Sequence, residues 1–275
     1  MHVVAAQHEL YRRSMKQRPA VELVCEYVFR PAAQLVVLAF RPLGVSPPAV
    51  LLANTVCGLG GAVAIMRGHL VVGALLLQAK TVLDNADGQL ARATGRVSVL
   101  GRYLDSESDL LVNAVVFAAL GKATGEPFLA LAAFLVLTLV LSLDFNLERL
   151  YRRQRGDERD PSPPAGDGLA ELLAHVYAVV YGTQDRAIEW FVERRLARLH
   201  ARPEARLAYH DRATLQVLAN FGLSTQLAVL GVCLAVGRPA VYCWFVVGCG
   251  VALVPLFARR ELLARRSLRP STTRR

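Results

Sequence analysis

Four of the chain's ten aspartates, Asp84, Asp87, Asp105 and Asp109, fall within 26 consecutive residues, DNADGQLARATGRVSVLGRYLDSESD. Positions three and four apart share one face of a helix. Asp84, Asp87, Gly88 and Ala91 therefore form one stripe, followed at once by Arg92. Gly101, Asp105 and Asp109 form a second stripe on the next helix, and ATGRVSVL between them supplies the turn. The spacing predicts two antiparallel helices that face each other with two carboxylates each. Like charges a few ångströms apart repel strongly where water is scarce, so such a set calls for a cation. Oxygen-only ligands favour magnesium, manganese or calcium. Gly88, Ala91 and Gly101 carry little or no side chain, which lets a bulky ligand lie against the backbone. Arg92 offers a fork that fits phosphate oxygens. Together these residues suit a diphosphate bridged by metal. Helix capping, or pairing with Arg92, Arg96 and Arg102 in a solvated loop, would explain any one of the aspartates. It does not explain the spacing of all of them.

The elements that must position these groups read as a membrane-embedded helical bundle. Apolar types make up 54% of the chain and mean hydropathy is +0.35, whereas soluble domains carry about 45–50% apolar residues. This excludes extensive disorder, which requires low hydrophobicity. The net charge of +10 would suit a nucleic-acid binder, but the basic residues sit between long uncharged runs, so no nucleic-acid partner is expected. Residues 48–66 are uncharged over 19 positions, 213–237 over 25 and 239–258 over 20, and 127–143 is also apolar. About 20 residues cross the hydrocarbon core as a helix. Residues 69–79 and 110–121 reach that length only if their polar ends, which hold the aspartates, belong to the helices. The expectation is an all-α polytopic membrane protein with six transmembrane helices. Residues 31–40, flanked by Arg30 and Arg41, add an N-terminal interfacial helix.

Charge sets the orientation. With the N-terminus inside, Arg67, Lys122 and Arg238 are the only Lys or Arg on outer loops, and all others lie inside. The expected result is an integral protein of the cell inner membrane with the aspartates at its cytoplasmic edge. Residues 1–47 then form a cytosolic arm with the interfacial helix, and 48–146 a catalytic membrane core with spans one to four. Residues 147–212 form a cytosolic insert, 213–258 spans five and six, and 259–275 a basic cytosolic tail. The insert contains a polar Pro/Gly linker at 156–168, then helical patterns over 169–181 and 186–200. The second carries Trp190 and Phe191 beside Arg194, Arg195 and Arg198. It fits a basic amphipathic helix on the inner surface or part of a soluble hairpin. Cys25, Cys57, Cys233, Cys243 and Cys249 are odd in number and lie in apolar surroundings without a CxxC, so they read as packing residues. The opening residues lack the apolar core and cleavage site of a signal peptide, and none is expected.

At every fixed position the aspartate segment matches D-x2-D-G-x2-A-R-x8-G-x3-D-x3-D, and it resembles the CDP-alcohol phosphotransferase (CDP-alcohol phosphatidyltransferase) family. The resemblance covers residues 46–145 well. It implies a six-span homodimeric membrane enzyme with the signature on spans two and three. It implies that Asp84, Asp87, Asp105 and Asp109 hold metal, Mg2+ or Mn2+ in a two-metal site. Asp109 would also be the general base, and Gly88, Ala91, Arg92 and Gly101 would line the CDP pocket. In the implied reaction an acceptor hydroxyl attacks the β-phosphorus of a CDP-alcohol and CMP leaves. Metal neutralises the diphosphate and a carboxylate takes the proton. Membrane placement suits a donor whose alcohol stays in lipid. CDP-diacylglycerol is therefore the expected donor, and a polar alcohol such as glycerol phosphate or inositol phosphate the acceptor, in phospholipid biosynthesis. Two features depart from the family. Pro47-Pro48 and Leu51 stand where it often has Pro-Asn and a Thr three residues on. The N-terminal arm and the 149–212 insert are longer than in minimal members.

Outside the signature, Lys80 lies one turn before Asp84. It could balance the carboxylates, touch phosphate, or snorkel to the membrane edge. Asn113, one turn after Asp109, and Asn54 in span one could line the site or bond between helices. Arg149 and Arg212 could hold a phosphate on the acceptor or anchor spans. His210 and Asp211, beside Arg212, lack metal-ligand spacing. Three other functions would use parts of the same pattern. A CDP-alcohol phosphotransferase with a soluble donor would make a polar phosphodiester. A membrane prenyltransferase would need a second Asp-rich motif, and spans five and six carry no aspartate. A divalent-cation transporter would want carboxylates near the bilayer midplane.

Overall fold

The computed structural model describes residues 18–157 and 182–268. Among the described residues the regular structure is helical throughout, in agreement with the all-α expectation. A π-helical turn, Cys25–Phe29, leads into α1 (Arg30–Phe40). Then come α2 (Pro47–Met66), α3 (Leu70–Ala93), α4 (Val99–Thr124), α5 (Pro127–Arg153), α6 (Gly182–Arg198), α7 (Pro203–Tyr209), α8 (Arg212–Ala219), α9 (Leu223–Ala235) and α10 (Pro239–Ser267). Proline opens α2, α5, α7 and α10, where its missing N–H costs no hydrogen bond. The chain reverses between α3 and α4 through Gly95, whose φ of 68° lies in the left-handed region. Ser98 then caps α4 by accepting from the Gly101 N–H at 2.9 Å.

Among the described residues, four stretches are long and apolar enough to cross a membrane: Pro47–Met66, Pro127–Arg153, Pro203–Ala235 and Pro239–Ser267. The sequence reading expected six. The helices α3 and α4 have the length, at 24 and 26 residues. Their polar halves keep them from matching the apolarity of the other four. Leu52, Val56, Val71, Leu75, Leu135, Leu139, Val251 and Val254 stand exposed on α2, α3, α5 and α10, a surface suited to lipid rather than water. The bundle core is built from Ile65, Leu77, Val116, Leu120, Leu137, Leu230 and Tyr242, among others.

The uncharged run 213–237, read as one span, is two helices. The break at Asn220–Gly222 is filled by the N-terminal arm. Gln216 and Asn220 donate side-chain N–H groups to the Val21 carbonyl at 2.6 and 3.1 Å. The Glu22 carboxylate accepts from the backbone N–H and hydroxyl of Thr225, at 2.7 and 3.0 Å, and so caps the start of α9. Gly222 is needed here, because a Cβ would lie 2.8 Å from the Glu22 carboxylate.

The helix α2 is the wedge of the site. It packs against both α3 and α4, whereas the backbones of α3 and α4 hardly approach one another. Its glycines allow this. A Cβ on Gly58 would stand 2.5 Å from Val112 of α4, and one on Gly61 would stand 3.1 Å from Leu77 of α3. Small residues at such crossings let helix backbones close up. The helix α1 packs its Ala33 and Val37 with Val50, Ala86 and Leu90, against the back of α3. The expected helix at 186–200 is present as α6, which buries Ile188, Val192 and Leu196 and exposes Trp190. The expected helix at 169–181, and all of the 156–168 linker except Gly156 and Asp157, lie outside the described residues. The five cysteines are free, and four are buried.

Candidate active site

The last turns of α3 and the first turns of α4 face each other across the gap that α2 leaves. Asp84, Asp105 and Asp109 each offer a carboxylate oxygen there, and the three oxygens lie within 4.8 Å of one another. Asp87 stands outside that group of three but is tied to it by Asn54 of α2. The Asn54 amide donates to Asp84 at 3.1 Å and to Asp87 at 3.3 Å. The two stripes therefore converge, as the spacing predicts. The two helices are propped apart on a third helix, and side chains bridge the gap.

Lys80 is one of those bridges. Its ammonium donates to Asp84 at 3.2 Å and also to Asp109. The residue is 1% exposed, so the snorkelling alternative does not hold. Gly58 makes room for its stem, because a Cβ there would lie 3.3 Å from Lys80 Cγ. No hydrogen bond from the described residues reaches the Asp105 carboxylate. Arg92 curls back over its own helix, its Nη1 lying 3.2 Å from where a Gly88 Cβ would be. Gly88 thus keeps the place that the guanidinium covers. Gly101 is held by its bond to Ser98, whose Oγ would be 3.0 Å from a Cβ. Ala91 is half-buried beside Arg92, and Asn113 is buried one turn beyond Asp109.

These residues fit a hard divalent cation. The donor set is all oxygen, it converges, and its negative charge exceeds that of the one ammonium in contact with it. Asn54 Oδ1, buried without a hydrogen-bond partner, is a further acceptor next to the carboxylates. Two contacts that the sequence did not signal fix the back of α3. The Cys25 thiol bonds Asn85 Oδ1 at 3.1 Å, and the Gln89 amide donates to the Arg30 carbonyl at 3.2 Å. Arg149 and Arg212 take structural partners. Arg149 pairs with Glu189 at 3.3 Å, and Arg212 donates to the Pro19 carbonyl at 2.9 Å. His210 is buried in a separate cluster beside Arg260. A cavity of about 520 Å³ between α6, α7 and α10 is lined by Phe191, Arg195, Tyr209, Phe257 and Glu261, and none of the four aspartates borders it.

Comparison with known proteins bears on this geometry. The family profile described as CDP-alcohol phosphatidyltransferase matches residues 45–191. The chain is 40% identical over 76 residues to the bifunctional IPC transferase and DIPP synthase of Thermococcus kodakarensis, across 27% of this chain and 18% of that protein. It is 40% identical over 62 residues to the archaetidylinositol phosphate synthase of Aeropyrum pernix, across 22% of this chain and 32% of that protein. The chain thus spans about a fifth and about a third of the length of these two relatives.

Proposed function

The chain belongs to the CDP-alcohol phosphatidyltransferase family, and from that premise we propose that it transfers a phosphatidyl group from CDP-diacylglycerol to the hydroxyl of a polar alcohol, with release of CMP. The observation that carries this reading is the convergence of Asp84, Asp105 and Asp109 to within 4.8 Å inside an apolar bundle. One Mg2+ or Mn2+ ion, or a pair, held by Asp84, Asp87, Asp105 and Asp109 would neutralise the diphosphate and the departing phosphate.

The chain's own groups do the rest. Asp109 takes the proton from the acceptor hydroxyl as its oxygen attacks the β-phosphorus. The bond from that phosphorus to the bridging oxygen breaks, and the electron pair leaves with CMP. The proton passes from Asp109 to water. Arg92 holds phosphate oxygens with two parallel N–H donors. Gly88, Ala91 and Gly101 are the small residues that would line the CDP pocket. Asn54 orients Asp84 and Asp87.

A phosphorylated polyol is the proposed acceptor, inositol phosphate first, because one relative is named for making archaetidylinositol phosphate. We place the site at the cytoplasmic face of the inner membrane, with α3 and α4 crossing beside the four apolar stretches. The placing of Lys and Arg supports that orientation. The working unit is proposed to be a homodimer.

The test is CMP release by purified protein in liposomes. CDP-diacylglycerol is offered with inositol phosphate, glycerol phosphate, unphosphorylated inositol, glycerol, or water alone. CDP-glycerol replaces the lipid donor in a parallel arm. Release of CMP with a new phospholipid in one phosphorylated-acceptor arm is the expected result. Turnover of CDP-glycerol alone would replace the lipid donor by a soluble one. Inertness towards every donor and acceptor would remove the reading.

A further inference from the structure

We infer that Lys80 is a built-in counter-cation that holds the metal-binding carboxylates of the free enzyme, so that metal and anionic donor load together. This rests on the proposed function, since it needs a divalent ion at the aspartates and a diphosphate beside it.

Three observations lead here. First, Lys80 bonds the carboxylates of Asp84 and Asp109. These are two of the three residues whose oxygens converge. Second, the ammonium is buried, since the residue is 1% exposed. Its stem passes along α2, with Cγ 3.3 Å from the place of a Gly58 Cβ, and Val112 fills the other side of that glycine. Third, the charges around it do not balance. Asp87 has the neutral Asn54 amide as its side-chain donor, and no hydrogen bond from the described residues reaches Asp105. Among the described residues, Lys80 is hydrogen-bonded to two of the four carboxylates.

A divalent ion and an ammonium on the same carboxylates repel each other at short range, and the interior screens this poorly. In the free protein the ion must displace Lys80 or bind against it. A diphosphate changes this. It brings negative oxygens to the same place and gives the displaced ammonium a new partner. Donor binding should then strengthen metal binding by more than the metal–phosphate bridge alone provides. Metal must strengthen donor binding by the same factor, because coupling between two bound ligands is reciprocal. The cell gains an enzyme that does not fill its site with metal when no donor is present.

The experiment is a Mn2+ titration of the full-length protein in detergent, followed by the EPR signal of free Mn2+. It is run with and without CDP as the diphosphate probe. Wild type is compared with Lys80→Met, which keeps the length and apolar stem, and Lys80→Gln, which keeps a hydrogen-bonding head. Thermal melts in chelator establish that each variant is folded, and Lys80→Gln decides if Lys80→Met does not fold. Without CDP, the neutral variants should bind Mn2+ at least roughly tenfold more tightly, the scale of one unit charge a few ångströms away. The strengthening by CDP should shrink by a similar factor. A lysine with a merely structural role gives the opposite sign, because its loss loosens the carboxylates and weakens Mn2+ binding. Equal or weaker Mn2+ binding in the folded variants, or unchanged strengthening by CDP, overturns the inference. Wild type that binds no Mn2+ in either condition overturns the metal-site reading itself, and the role of Lys80 with it.

Discussion

The carboxylates between α3 and α4 differ from those where α5 meets α6 and the N-terminal arm. At the second place Asp144, Glu148, Glu189 and Glu193 each have an arginine. Glu189 pairs with Arg149 at 3.3 Å and Arg153 at 2.8 Å. Arg18 joins Asp144 and Glu148, both at 2.6 Å, and Glu148 also takes Arg152 at 2.8 Å. Glu193 accepts two bonds from Arg206, at 3.1 and 3.0 Å. At the first place Lys80 bridges Asp84 and Asp109, Asp87 leans on an amide, and Asp105 has no hydrogen-bond donor among the described residues. Balanced charge at a helix junction locks a scaffold and asks nothing of a ligand. Unbalanced charge inside an apolar bundle is costly, and it is relieved when a cation arrives. The same residue types thus hold structure together in one region and, on the proposed function, do chemistry in the other.

Substitutions in the two regions should separate by size. Asp109→Asn keeps the shape and removes the proposed base. Turnover should fall by at least about a hundredfold, the lower end for losing a general base, while CDP binding measured by calorimetry stays near wild type. Turnover close to wild type would take Asp109 out of the mechanism. Arg92 comes next. Arg92→Ala should lose about 1.5–3 kcal/mol in kcat/KM for the donor, the range for a hydrogen bond to a charged group. Arg92→Lys should also be impaired, because an ammonium cannot copy two parallel donors. Normal donor kinetics with a lowered melting temperature would make Arg92 a structural residue.

The scaffold side should respond in stability and not in chemistry. Glu22→Ala removes the cap of α9 and should cost about 0.5–2 kcal/mol, the range for losing an N-terminal cap. It should appear as a lower melting temperature with donor KM unchanged. The smallest effect belongs to Glu189→Gln, which breaks a partly exposed pair of ion pairs worth about 0–1 kcal/mol. A large loss of turnover in Glu189→Gln would erase the contrast between the regions and return Arg149 to the list of acceptor ligands.

Local spacing made the aspartate stripes legible, since three- and four-residue steps fix which side chains share a helix face whatever the tertiary structure. The apolar runs were legible for a similar reason, because hydropathy is a sum over neighbours. What stayed hidden depends on partners far along the chain. The break between α8 and α9 looked apolar because Gln216 and Asn220 average out over the run. Their meaning lies in Val21, 195 and 199 residues away. Asn54 could not be told from an ordinary interhelical polar group, since its two carboxylates lie 30 and 33 residues further on. The gap between α3 and α4 follows from where Gly58 and Gly61 let α2 close. A glycine's sequence position does not say which helix approaches it. Lys80 carried three readings in the sequence, and its burial against Asp84 and Asp109 argues against snorkelling.

Metal-dependent release of CMP tests most directly whether the unbalanced carboxylates are the working centre. Purified protein in liposomes is stripped with chelator, then given CDP-diacylglycerol and inositol phosphate, with Mg2+ or Mn2+ added back in steps. Wild type should release CMP only when donor, acceptor and divalent ion are all present. Asp84→Ala should need far more metal for less turnover, while Glu189→Gln follows the wild-type curve. Release of CMP that survives chelation, or an Asp84→Ala curve that overlays wild type, would contradict it.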